Sequence, residues 1–301
     1  LLTGHNEDSM PEAMLEVLNN MFFNVFDLDL KSEKQIPPET DVLVVLAPEW
    51  DITEDEKDII MDYLDVTDTA GNAIFIMGKA SVPTPNFDEI MAYYSLTLDD
   101  EVIYEEDSSL YAGGIKYALM LPYKSVSATQ SAGVTQKLYL NKAKPIYSSE
   151  LKKTTIRLED VAVTSSTAWS SADIKSGTMD FEEGKDTPTV NGFVPAIAVT
   201  EYGNNEGTLY SRLFIVNCAE FMLSDQLRLN NYSNDEVFYS ALLWCLDSSS
   251  AMITITPKYY VTATHTLSSG GVYAYAIVLG IVVPILILGG GLVVYLKRRH
   301  L

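Results

Sequence analysis

Residues 41–48, Asp-Val-Leu-Val-Val-Leu-Ala-Pro, form an aliphatic run with no polar position to turn toward water between Val42 and Ala47. Such a run is expected of a strand covered on both faces, the situation inside a parallel sheet. Pro48 ends it. Thr53 and Glu56 then stand at capping-box spacing, Thr-x-x-Glu, which opens a helix through Leu64. The turn Ala70-Gly71-Asn72 leads into a second buried strand, Ala73–Met77. Two buried strands joined by a helix predict a parallel sheet with helices on both faces.

Working outward, Leu1–Thr3 reads as the end of a strand and Gly4-His5-Asn6-Glu7 as the loop after it. Ser9 or Asp8 can cap a helix carrying Met14, Leu15, Val17, Leu18 and Met21 at helical spacing. Phe22–Leu30 alternates apolar and polar residues, which predicts a strand. Beyond the second buried strand, Phe87–Tyr94 reads as a short amphipathic helix. From 105 to 190 helical periodicity fades and short alternating runs appear, such as Val134–Leu140 and Thr154–Leu158. Phe193–Tyr202 and Tyr210–Asn217 then read as a hairpin around the 203–207 turn, and Glu236–Leu246 as a helix capped by Asn234 or Asp235.

The expected architecture is a doubly wound α/β domain of flavodoxin or class I amidotransferase type. Its mostly parallel sheet carries a β-rich insertion and is followed by one C-terminal transmembrane helix. The expected boundaries are 1–104 and 191–250 for the two parts of the α/β domain, with the insertion at 105–190. An extended stalk (251–271), the membrane helix (272–296) and a basic tail (297–301) complete the chain. The membrane helix is expected because residues 272–296 carry no charge and a bilayer core takes roughly 20 apolar residues. Lys297, Arg298 and Arg299 beside it place the C-terminus on the cytoplasmic side of the cell membrane and the N-terminal domain outside. Ala276 and Gly280, and the run through Gly289 and Gly290, offer small surfaces for packing against another membrane helix. Without an initiator Met or a signal peptide, the chain is expected to have lost an upstream part.

The whole chain has 20 Lys+Arg against 41 Asp+Glu; without the three basic residues of the tail the balance is 17 − 41 = −24. That charge argues against nucleic acid and against adhesion to anionic headgroups, since both are polyanions. An apolar fraction of 47% still permits a core.

These motifs, in their order, resemble the GldG-like auxiliary proteins of ABC-2 type transport systems, known from gliding motility. The resemblance runs through LTGHNE (2–7), DVLVVLAP (41–48), ITEDEKDIIMDYL (52–64) and AGNAIFIM (70–77). It resumes at SRLFIVNCAEF (211–221) and VFYSALLWCLD (237–247). Asn6 stands where the family usually has Gly, and Ala70-Gly71 where a Gly pair is usual. The resemblance implies a membrane-anchored, extracytoplasmic domain working beside an ABC-2 permease and its ATPase. The chain has no P-loop sequence, so it is not expected to bind ATP itself.

Gly4, His5 and Glu7 are the first candidate site residues, because ligands of doubly wound sheets sit at the loops leaving the strand ends. A His beside a carboxylate suits acid–base work or a metal; the alternative is that Gly4 makes the turn while His5 and Glu7 hold neighbouring loops. Asn217 and Glu220 end another strand and are the next candidates for binding a ligand or partner. Cys218 and Cys245 are open to pairing or to burial as free thiols. No His/Cys spacing suits zinc and no G-x-S-x-G is present, so no metal, cofactor or catalytic residue is expected. The function that follows is a non-enzymatic accessory subunit of an ABC-type transporter. A hydrolase or amidotransferase-like enzyme using His5 and Glu7 is the alternative.

Overall fold

In a computed structural model, described at residues 1–132, 137–149, 153–203, 209–222, 232–247, 278–285 and 288–290, the chain divides into two units, Leu1–Met252 and Ile253–Leu301. In the first unit, helix α1 (Glu12–Asn20) follows Pro11. It starts without the side-chain cap expected from Ser9 or Asp8; Asp8 is paired with Lys79 at 2.7 Å instead. Phe22–Leu30, expected as a strand, contains only a parallel bridge from Leu28 to Leu2. Asp29 interrupts it by capping a one-turn helix, α2 (Leu30–Glu33), through the Lys31 N–H.

Strand β1 (Val42–Leu46), helix α3 (Glu54–Leu64) and strand β2 (Asn72–Ile76) follow as the hydrophobic pattern demands. Both halves of the capping box are made: Thr53 Oγ1 accepts from the Glu56 N–H, and Glu56 Oε2 accepts from the Thr53 N–H at 2.8 Å. Gly71 precedes β2 because a Cβ there would collide with the Tyr63 ring. Helix α4 (Pro85–Tyr93) then leads to eight strands: β3 (Leu96–Leu98), β4 (Val102–Tyr104), β5 (Ala118–Pro122), β6 (Lys137–Asn141), β7 (Ile146–Ser148), β8 (Ile156–Ala162), β9 (Trp169–Ser171) and β10 (Thr187–Pro188). The chain returns through the antiparallel hairpin β11 (Ala196–Tyr202) and β12 (Tyr210–Val216) and ends the unit with helix α5 (Asn234–Cys245).

The main sheet has the order β1-β2-β12-β11-β8. Its two pairings β1–β2 and β2–β12 are parallel, and β12–β11 and β11–β8 are antiparallel. The smaller sheets, β10-β9-β4, β3-β7 and β5-β6, are antiparallel throughout. The doubly wound, mostly parallel sheet of flavodoxin or class I amidotransferase type is therefore not the architecture present: this is a mixed sheet with many short strands around it. The physical reason is connectivity. Parallel neighbours need a crossover, whereas a short turn makes antiparallel ones. After β2 the chain re-enters the sheet at β8 and then folds the hairpin onto β2, so β12 pairs with β2 in parallel while β11, between β12 and β8, runs against both its neighbours.

Successive side chains of a strand point to opposite faces, and both faces are covered here. Val44, Leu46, Ile74, Ile76, Phe214 and Val216 pack with Met14 and Leu18 of α1 and Phe238 and Ala241 of α5. Leu43, Val45, Ala73, Phe75, Leu213 and Ile215 pack with Ile60 and Leu64 of α3 and Phe87 and Ile90 of α4. Leu119, Leu121, Leu138 and Leu140 of β5 and β6 join the first of these cores, so that hairpin shares the main hydrophobic interior.

The transmembrane helix expected at 272–296 also requires correction. No helix among the described residues is long and apolar enough to cross a membrane. Of that stretch only 278–285 and 288–290 are described, beginning with a π-helical turn, Val278–Val282. Gly280, Gly289 and Gly290 are exposed there with no atom near the position of a Cβ. Ala276, the stalk 251–271 and the tail 297–301 lie outside the described residues.

Candidate functional site

Leu2 donates its N–H to Val44 O at 2.9 Å, so Leu1–Thr3 runs beside β1 and loop 4–7 leaves at the same sheet end as the loops after β1, β2 and β12. Gly4 takes φ +112°, a left-handed region that glycine adopts freely, and the turn drives the His5 ring inward. His5 is 1% exposed. Its Nδ1 lies 3.1 Å from Glu7 Oε1 and its Nε2 3.2 Å from Glu56 Oε2. The His5 N–H also donates to Glu7 Oε2 at 2.8 Å, and the His5 carbonyl accepts the N–H groups of Glu49 and Trp50.

A neutral imidazole has one N–H, so it can serve only one of two flanking carboxylates; the imidazolium serves both. Burial pulls the His5 pKa down, but the hydrogen bonds and charges of Glu7 and Glu56 outweigh it and hold the ring above its ordinary value. Burial likewise raises Glu7 and Glu56, yet His5 with nearby backbone N–H groups on Glu7, and Thr53 with His5 on Glu56, bring both carboxyls below the usual range. The arrangement is a buried ion triad that ties the first loop to the start of α3, with Glu56 Oε1 left without a hydrogen-bond partner among the described residues.

Asn217, just past β12, is 1% exposed. Its Nδ2 donates to the carbonyls of Asp99 and Pro145, both at 3.0 Å, and its own carbonyl accepts the Lys144 N–H at 2.8 Å. Glu220 is exposed and accepts from Asn141 Nδ2 at 2.9 Å. Among the described residues no hydrogen bond joins Asn217 or Glu220 to His5 or Glu7, so the sequence candidates fall into separate places rather than one crevice. Cys218 and Cys245 are buried free thiols, each pushed by burial up to about 12. Among the described residues no cluster of His, Cys, Asp or Glu has the makings of a metal site.

Asn217 instead lines a cavity of about 140 Å³ with Pro48, Met77, Gly78, Pro83, Asp88, Asp99, Asp100 and Lys144. It opens where β1, β2 and β12 end. Lys144 Nζ meets Asp100 Oδ1 at 3.0 Å. Local desolvation, then the charges of Asp100 and Asp51, push the exposed Asp88 carboxyl above its ordinary pKa. Sequence reading missed both Glu56 as a His5 partner and this cavity. The available signals were the capping-box glutamate, whose Oε2 meets both Thr53 and His5 Nε2, and Gly78 directly after a buried strand. A larger groove, about 300 Å³, flanks the N-terminal half of β1 between Phe22, Phe26, Phe238 and Leu242.

The fold is thus a mixed α/β domain with two polar centres at the end of its parallel strands. No protein-family model matches the chain, and no curated protein does. Among solved structures, the chain is similar to one titled mmIFT52 N-terminal domain, with a TM-score of 0.55 at 13% identity. The match covers 81% of this chain and 96% of that one. At such identity the likeness concerns the fold alone.

Proposed function

We propose that the chain is a non-enzymatic accessory subunit of an ABC-type transporter at the cell membrane, with the folded domain outside the cytoplasm and engaging a partner subunit. The observation that carries the non-enzymatic part is the closure of the His5 triad. The only histidine among the described residues has both ring nitrogens engaged by carboxylates and is shut off from solvent. A general acid–base group must reach a substrate proton, and His5 has no free edge for one. Both thiols are buried and held protonated, which removes them as nucleophiles. The transporter part rests on the ordered motifs that resemble GldG-like proteins. The domain then acts through its surface, and energy comes from a partner ATPase.

Purification of the full chain from its native membranes in mild detergent tests this. Mass spectrometry should find a polytopic permease and a P-loop ATPase in stoichiometric amounts. Recovery of the chain alone from membranes that contain such a transporter would refute the proposal.

A further inference from the structure

We infer that the loop joining β9 to β10, residues 172–186, is where the partner subunit docks, and that the partner presents a basic, amphipathic segment to it; this rests on the accessory-subunit reading above. The loop is far longer than the roughly 2–5 residues usual in a hairpin, yet it is pinned along its length. Gly177 O accepts the Lys116 N–H at 2.7 Å. Tyr104 Oη accepts the Lys175 N–H at 2.7 Å and donates to the Lys175 carbonyl at 3.2 Å. Lys175 Nζ meets Asp186 Oδ2 at 2.6 Å, and Lys116 Nζ meets Asp180 Oδ1 at 2.8 Å.

Pinned in this way, the loop is turned inside out. The side chains of Lys175 and Lys116 are only 10% exposed, whereas Ile174, Met179 and Phe181 are 65%, 42% and 40% exposed. Folding alone favours the reverse, with ammonium groups in water and large apolar side chains inside. Gly177 lets the loop lie against Ile115, itself exposed, since a Cβ there would stand 2.4 Å from Ile115 Cγ2. Phe181 is backed by the Trp169 ring, with centroids 6.3 Å apart, and Trp169 stacks on Tyr104 at 4.2 Å. Apolar side chains gathered on a surface and rimmed by polar ones mark interaction sites, and a loop already fixed loses little freedom when a partner settles on it.

The charge on the loop selects the partner. Residues 173–186 hold two lysines against five acidic residues, 2 − 5 = −3. Lys175 is bound to Asp186, and Lys185 is paired with Glu182 at 2.6 Å, so neither cation is free. Asp173 and Glu183 are exposed, with no ion pair among the described residues. A segment with apolar residues on one face and Lys or Arg beside them answers both features. A second copy of this chain, at a net charge of −21, and an anionic lipid surface are both repelled.

The test uses the full chain in mild detergent and, as probe, a synthetic amphipathic helix of Leu and Lys, with the same peptide carrying Glu for Lys as its control. Backbone amide shifts of Ile174, Met179 and Phe181 should saturate with the Lys peptide and stay still with the Glu peptide. Ile174→Ser together with Met179→Ser should weaken the Lys peptide about tenfold, the scale of interface anchors, and Asp173→Lys should weaken it as well. These positions are exposed, so thermal unfolding of the variants should match the wild type. The same variants should reduce the permease recovered with the chain. Unmoved shifts, an equal response to the Glu peptide, or unchanged affinity in the variants would overturn the inference. Peptide binding lost in the variants with permease recovery unaffected would overturn the loop's role as the partner's dock while leaving the accessory-subunit reading intact. If the wild-type chain recovers no transporter subunit, that reading itself fails, and the peptide still decides whether the loop takes a basic segment.

Discussion

Two polar centres lie at the same end of the sheet and differ in how their hydrogen bonds balance. Around His5, two carboxylates meet a ring that donates to both when protonated, and each has the Thr53 or His5 backbone N–H as well. Around Asn217, the exposed Asp88 carboxylate has no hydrogen-bond partner among the described residues, and Lys144 is engaged by Asp100. Burial of titratable groups therefore does not by itself mark a working site. The first centre is more buried and more perturbed, and both ring nitrogens of His5 are engaged, although Glu56 Oε1 is buried without a hydrogen-bond partner. The second is shallower, with Asp88 and Asp100 exposed, so its carboxylates are open to water.

The sharpest way to break this contrast is to remove the centre of the closed triad. His5→Ala leaves Glu7 and Glu56 facing each other inside the protein, and stripping one member from a buried ion cluster costs about 3–5 kcal/mol. Chemical denaturation should report a loss of that size. A loss under about 1 kcal/mol would mean that the triad contributes little to holding loop 4–7 against α3.

The same triad carries a pH signature. The folded-state His5 pKa is raised, so its contribution is complete below the ordinary histidine value near 6.5 and is lost as pH rises through the folded value. Glu7 and Glu56 are lowered, so their contributions are present above the usual carboxylate value and are lost as pH falls through theirs. Stability from this centre is thus greatest between those ranges and declines toward alkaline pH. Denaturation of the wild type should weaken above about pH 6.5, and His5→Gln should flatten that part of the profile. An identical slope in the variant would assign the decline to other groups.

The two centres also differ in how far sequence could reveal them. The strand at 42–46, the capping box at Thr53 and the hairpin at 196–216 are local patterns, set by side-chain period and turn length, and were legible in order. Sheet polarity was not, because it depends on where β8 and β11 enter the sheet, a long-range choice with no local trace. The strand expected at Phe22–Leu30 failed for a local reason: Asp29 bonds the Lys31 N–H, a short-range competitor that the alternation hides. His5 and Glu7 were visible together, two residues apart. Glu56 was visible only as a cap, since its second partner lies 51 positions away. Asn217 was picked out, but its orientation is set by the carbonyls of Asp99 and Pro145, 118 and 72 positions away, which no local pattern reveals.

A smaller effect tests how the triad is assembled. Thr53 Oγ1 donates to Glu56 Oε2 at 2.7 Å, the oxygen that also meets His5 Nε2. Thr53→Ala should cost about 1 kcal/mol, as for other helix caps, and should lower the His5 pKa measured by NMR because Glu56 is then less firmly held. A stability loss with an unmoved His5 titration would separate the cap from the triad.

The smallest effect belongs to the open centre. Local desolvation, with the charges of Asp100 and Asp51, raises the exposed Asp88 carboxyl. A raised carboxylate binds protons more readily folded than unfolded, so its ionisation removes stability as pH rises through the carboxylate range. Asp88→Asn takes that charge away where no partner among the described residues is lost with it, and the expected change is within about 0.5 kcal/mol, neutral or slightly stabilising. Thermal unfolding of variant and wild type should nearly coincide at neutral pH, with the variant equal or higher. A clear loss of stability would show that Asp88 already has a structural partner.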